Sequence, residues 1–399
     1  MGSESMDALV TTVSEFWPGD EPAIRVRGRR RPALGSTSFV VIPNAASPRL
    51  LVPLSNPAAA GRSMQRFSAA LNVPEAARRM ALGAALRVGG ARMFGDRVQV
   101  VASAGTDSLE RYLSGVLDEN VTFSLGIGNA RVNRKPVLQV FGPSGQDLAF
   151  VKIGNTPASI TEVSGEAEAL EALAAKPWSG LEIPRVLHTG TWNGMFVLVM
   201  SSLPTSLQRT PKSRRTIPMQ AMDELSAAFS EGTQPLTFAP LWGRLERAAK
   251  SLDDDHQRER LLHALEIVAG RAGDRPWHIG AWHGDWTPWN MARRGQVVQL
   301  WDWERFETGV PSGLDKFHFA VNDHCRTHGI EVQTIRAGLE AAVGDKNDPG
   351  SEAHLLAGIY LLAITCRYLT LAQGVGGEAI SRQGETTLRT LFDWLGLRG

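Results

Sequence analysis

The order of its apolar runs constrains this chain more than any other feature. From Val121 the runs are short and separated by turns: 121–126, 136–141 and, after Gly142-Pro-Ser-Gly145, 147–153. Runs of this length and β-branched content, joined by turns, predict an antiparallel meander. A helical stretch at 161–174 follows, with Leu170 and Leu173 at helical spacing. Strand candidates at 185–188 and 195–200 complete the series. Beyond Pro204 the pattern becomes almost wholly helical, near 218–230, 238–250, 253–271, 331–343, 352–373 and 384–395. Only 281–303 interrupts it, where short apolar runs flank two acidic motifs. Residues 1–119 read separately, as strands at 38–42, 49–52 and 97–101 among helices near 1–20, 57–71, 74–88 and 107–117. The expected fold class is α+β: a β-rich lobe at 120–204, a mostly helical lobe at 205–399, and an additional N-terminal α/β module at 1–119.

At 399 residues, two or three domains are the natural expectation. A formal net charge of +1 argues against a surface built for nucleic acid or anionic membrane, and neither partner is expected. The five arginines of 25–31 read as a solvated basic loop, because no stacking aromatics interleave them. Two cysteines, Cys325 and Cys366, make neither a disulfide framework nor a zinc pattern and read as small core residues. No signal-peptide core opens the chain, and the apolar stretch 355–365 is half a membrane span. A buried helix and a cytosolic (cytoplasmic) protein are expected. His278, His318, His324 and His328 lack the spacing of a metal site and are assigned to structure.

Two motifs carry chemistry. Trp282-His-Gly-Asp-Trp-Thr-Pro-Trp-Asn-Met291 sets Asp285 two residues after His283 and five before Asn290. Phosphoryl transfer to a hydroxyl needs a carboxylate on the attacking oxygen and an oxygen ligand for a metal ion on the phosphates, both on one side of one loop. Downstream, Val297-Val-Gln-Leu-Trp-Asp302-Trp-Glu304 runs an apolar strand into a second carboxylate, suited to a hard cation such as Mg²⁺. The five tryptophans around these motifs read as core, with Trp286 or Trp289 also a candidate wall of an acceptor pocket.

His-Gly-Asp-x-x-x-x-Asn followed by Asp-Trp-Glu resembles the aminoglycoside phosphotransferase and choline kinase superfamily of small-molecule kinases, related in fold to protein kinases. The resemblance implies a two-lobed protein-kinase-like fold, ATP and Mg²⁺ as cofactors, and a small-molecule hydroxyl as acceptor. It makes Asp285 the catalytic base, Asn290 and Asp302 the metal ligands, and His283 and Asp315 structural braces. On the β-rich side it makes Lys152 the phosphate-binding lysine and Glu166 its helix partner, with Glu168 the competing choice. It puts the phosphate-covering turn at Gly126-Ile-Gly128, with Arg131, Arg134 and Lys135 as further phosphate contacts; a plain hairpin turn explains the two glycines equally well. It puts the adenine-receiving hinge at 197–204, including Met200 and Ser202. A sugar, aminosugar or aminoglycoside is the acceptor expected. The alternative is a pseudokinase, a nucleotide-binding or regulatory module without turnover.

Overall fold

The computed structural model describes residues 10–18, 23–26, 36–64, 73–101, 107–126, 135–204, 216–344, 348–374 and 376–397. The chain divides into two compact units, 1–175 with 183–209 and 176–182 with 210–399.

The first unit is built on one antiparallel sheet. Its nine strands run in the order β1 (Ala23–Val26), β4 (Arg97–Val101), β2 (Ser36–Ile42), β3 (Leu50–Pro53), β5 (Thr122–Gly126), β6 (Val137–Phe141), β7 (Asp147–Gly154), β10 (Met195–Ser201) and β9 (Val186–Trp192). The expected meander is β5–β6–β7, extended by β10 and β9. The N-terminal strands join the same sheet, because β3 pairs with β5 at Leu50↔Gly126 and Leu51↔Leu125. The boundary expected at 119/120 therefore falls inside this unit, between α3 (Leu109–Leu117) and β5. Its core gathers Phe16, Trp17 and Phe39 around Phe123, with ring centroids 5.8–6.3 Å from the Phe123 ring.

A second small core lies where α1 (Pro57–Ser63) and α2 (Val73–Arg87) bring Ala60 and Leu86 to Val40 and Val52. The helix expected from 161 begins earlier, as α4 (Pro157–Ala174). Thr156 and Ser159 cap each other's backbone N–H groups, and Pro157 occupies the first turn, where its missing N–H costs nothing.

The second unit is mostly helical: α5 (Met219–Ala228), α6 (Pro240–Lys250), α7 (Asp255–Ala272), α8 (Leu314–His328), α9 (Val332–Val343), α10 (Glu352–Gln373) and α11 (Glu378–Leu395). α10 is long and apolar enough to cross a membrane by length and composition. Here it is the hub of the core, buried from His354 to Cys366 and packed against α6, α7, α8, α9 and α11. Two departures from expectation shape the site. α8 was not foreseen, and the interrupted region contributes strands to two short sheets. One is β11 (Gly232–Pro235), β12 (Pro276–Trp282) and β15 (Glu307–Pro311); the other is β13 (Met291–Arg294), β14 (Val297–Leu300) and β8 (Leu181–Glu182). Gly338 lets α9 cross α8 closely, since a Cβ there would lie 2.6 Å from the Val321 Cα.

Candidate active site

In the helical unit the two acidic motifs are brought together by a hairpin. The loop 283–290 leaves β12 and feeds β13, which turns at Gly295 into β14. The register pairs Met291 with Leu300, and the Trp301 N–H donates to the Asn290 carbonyl at 3.1 Å. Asn290 and Asp302 are thus neighbours at the open end of the hairpin, which explains why the chain spaces them as it does. Asp302 itself holds a φ of +73°, a left-handed conformation that Asp tolerates better than most residues and that clusters at functional sites.

The loop is braced from several sides. Asp315, at the start of α8, is buried and accepts the N–H groups of His283 (2.8 Å) and Gly284 (3.1 Å). Burial pushes its carboxyl up to about 7, against the opposing pull of those donors and of Arg367. Arg367, from α10, donates to the Gly284 carbonyl at 2.6 Å and lies over the Trp282 ring. Gly284 has a φ of +74°, and a Cβ there would lie 2.2 Å from the Arg305 carbonyl oxygen, so this turn requires glycine.

His283 is fully buried between Trp286 and Trp303, its ring 4.6 Å from that of Trp303. Its Nδ1 accepts the Asp285 N–H at 3.1 Å, so its Nε2 carries the proton and donates to the Trp301 carbonyl, also at 3.1 Å. Burial lowers its pKa to about 4, in keeping with a neutral brace between the two motifs. Trp286 is buried behind this ring and cannot wall an acceptor pocket, whereas Trp289 is half-buried beside Arg326.

Asp285 is the group these braces present. Its carboxylate is 34% exposed, and both oxygens are held. Oδ2 accepts from Asn290 Nδ2 at 2.8 Å, and the same amide reaches the Asp285 carbonyl at 3.0 Å. Oδ1 meets His318 Nε2 at 3.0 Å. With its NH₂ committed to Asp285, Asn290 turns its Oδ1 the other way, and among the described residues that oxygen accepts no hydrogen bond. The Asn290 amide oxygen and the carboxylate of Asp302, carried at the same end of the hairpin, are oxygen donors of the kind a hard divalent cation takes.

The β-rich unit holds the other expected residues. Lys152 projects from β7 and Glu166 from α4, and their side chains meet at 2.5 Å in a nearly closed setting, 10% and 1% exposed. Glu168, the competing choice, is exposed. One helical turn before Glu166, Glu162 holds Lys135 at 2.8 Å, so Lys135 is an anchor of α4 in addition to any contact with phosphate. Gly126 ends β5, while Gly128, Arg131 and Arg134 lie outside the described residues. Met200 is the penultimate residue of β10, and the Ser202 hydroxyl just beyond the strand donates to the Asp147 carbonyl at 3.3 Å.

Neither a sequence-family profile nor a curated protein matches this chain. Solved structures do. The aminoglycoside phosphotransferase APH(4)-Ia aligns with a TM-score of 0.50 at 15% identity, covering 72% of this chain and 98% of its own. A thermostable mutant of that enzyme, in ternary complex with ADP and hygromycin B, gives 0.52 at 14% identity with the same coverage. The chain has the aminoglycoside phosphotransferase fold. The expected α+β, two-lobed, kinase-like class is the class it adopts, and on this phosphotransferase fold His283, Asp285, Asn290 and Asp302 fall in one connected loop and hairpin. Sequence reasoning missed His318. It stands 33 residues from Asp285 in a helix that carries no local pattern pointing to the loop, and only the fold brings the two together.

Proposed function

We propose that this chain is an ATP-dependent phosphotransferase that moves the γ-phosphoryl group to a hydroxyl of a small molecule: a sugar, aminosugar or aminoglycoside. The observation that carries the reading is the Asp285 carboxylate, partly exposed and fixed through both oxygens. A carboxylate so held can orient a hydroxyl and take its proton as the phosphoryl group transfers.

The other residues take roles that follow from their surroundings. Lys152, paired with and aimed by Glu166, would bind nucleotide phosphate, and the backbone around Met200 and Ser202 would receive adenine. The Gly126–Gly128 turn would cover the phosphates. Asn290 Oδ1 and the Asp302 carboxylate would hold Mg²⁺, which when bound supplies the positive charge that offsets the transferring phosphoryl oxygens. Support for an aminoglycoside or related sugar comes from the fold neighbour crystallised with ADP and hygromycin B.

The test is phosphorylation of a panel of hexoses, hexosamines and aminoglycosides by the purified chain with MgATP, followed by mass spectrometry. An accepted substrate is expected, and Asp285→Asn should lower its turnover by roughly 10²–10⁴-fold, the usual range for losing a general base. Undiminished turnover in that variant would refute the mechanism.

A further inference from the structure

The side chains behind Asp285 form a chain of hydrogen bonds whose donors and acceptors can be assigned one by one. An ionised carboxylate only accepts, so the bond between Asp285 Oδ1 and His318 Nε2, at 3.0 Å, requires a proton on Nε2. A ring protonated on Nε2 alone leaves Nδ1 as an acceptor. It faces the Tyr360 hydroxyl at 3.3 Å, and Tyr360 is the donor. Tyr360 is fully buried and its phenol is driven well above its ordinary pKa by that burial, so it keeps the proton it donates.

The ring is held as firmly as its protonation. His318 lies 2% exposed on α8, edge-on to Tyr360 of α10 at 6.0 Å, and Tyr360 stacks on Phe317. Asp285 is therefore gripped from two independent directions. Asn290 holds Oδ2 from within the loop, and His318 holds Oδ1 from a helix that is distant in sequence. Asn290 alone would leave a partly exposed carboxylate able to swing about its terminal bond, whose rotamer preference is broad.

We propose that His318, held as its Nε2–H tautomer between Asp285 and Tyr360, is a positioning residue that sets the orientation of the Asp285 carboxylate. The proposal rests on the reading of Asp285 as the base. It adds that the geometry of the base is imposed from α8 and α10, and that the tautomer of one buried histidine decides it.

Two measurements on the full chain test this. Side-chain ¹⁵N spectra of the histidine-labelled protein read the tautomer directly. The expected result is His318 protonated on Nε2 and not on Nδ1; in Tyr360→Phe, Nε2 should keep its proton against Asp285 while Nδ1 loses its hydrogen-bonded shift. Protonation on Nδ1, or averaging in the wild type, would overturn the proposal. Turnover is then compared using the best acceptor of the panel, or as MgATP hydrolysis without acceptor. His318→Leu should lose roughly ten- to a hundred-fold in kcat, the scale of an ångström-level misplacement, with KM for MgATP unchanged. His318→Gln, which restores an N–H donor, should recover most of the loss. Wild-type kcat in the leucine variant, or a folded glutamine variant no better than it, would sink the idea. If Asp285→Asn keeps full turnover, it is the assignment of the base that fails, while the ¹⁵N spectra still decide the tautomer.

Discussion

Two buried titratable residues brace the loop that presents Asp285, and their protonation opposes as pH changes. Asp315 is raised from 3.8 to about 7, so across that window the folded chain keeps a proton that the unfolded chain has released. Its contribution is fullest below the unfolded value and is lost as pH rises through about 7. His283 is lowered from 6.5 to about 4, so the folded chain has shed a proton that the unfolded chain still binds. Its contribution is present above 6.5 and lost as pH falls towards about 4. Between about 4 and 6.5 the two slopes have opposite sign and nearly offset. Removing one should expose the other. In Asp315→Asn the melting temperature should climb with pH over that window, driven by as much as about 1.4 kcal/mol per pH unit, while the wild type stays nearly flat. Parallel melting curves for the two proteins would show that Asp315 is ionised throughout. Asparagine loses one acceptor and lowers stability at every pH, so the slope is the quantity to read.

At the scale of elements, α4 is pinned to the sheet twice along one face. Glu162 and Glu166 stand one turn apart and take Lys135, just before β6, and Lys152 on β7. Glu166→Ala would leave a buried ammonium without this partner and should cost about 3–5 kcal/mol in denaturant unfolding. Glu168→Ala, on the exposed side, should stay within about 0.5 kcal/mol. An equal loss in both would mean that the pair contributes nothing particular. The pattern of α4 was readable because Glu166, Leu170 and Leu173 recur at helical spacing on its buried face while Glu168 and Glu171 are exposed. α8 was not, for a physical reason: Leu314, Asp315, Phe317, His318, Phe319, Ala320 and Val321 are all buried, so its first turns have no polar face from which to read a period. Nor does a side-chain cap announce its start, since left-handed Gly313 precedes it. β12 was hidden by Pro276 and Gly280, residues that ordinarily count against a strand. The consecutive motif residues Asp285, Asn290 and Asp302 were legible because one loop and one hairpin carry them. His318 needed the tertiary fold.

For the whole molecule, the continuity of the nine-stranded sheet sets how the first unit responds to damage. Phe123 is the common neighbour of Phe16, Trp17 and Phe39, and it is 1% exposed. Phe123→Ala should cost about 3–5 kcal/mol, as large-to-small changes in a closed core do. Hydrogen exchange should then show β2 and β6 losing protection together. Independent loss would mean that the N-terminal strands and the meander unfold as separate bodies. The β3–β5 seam has one more consequence, for anyone shortening this chain. A fragment beginning after 119 would carry β5 with the edge that β3 had covered at Leu125 and Gly126 left unclaimed. Such an edge is a template for strand addition by another copy. Unless a charge or a proline is engineered into that margin, the trimmed protein should self-associate, and the 119 residues removed would prove to have been its protection against doing so.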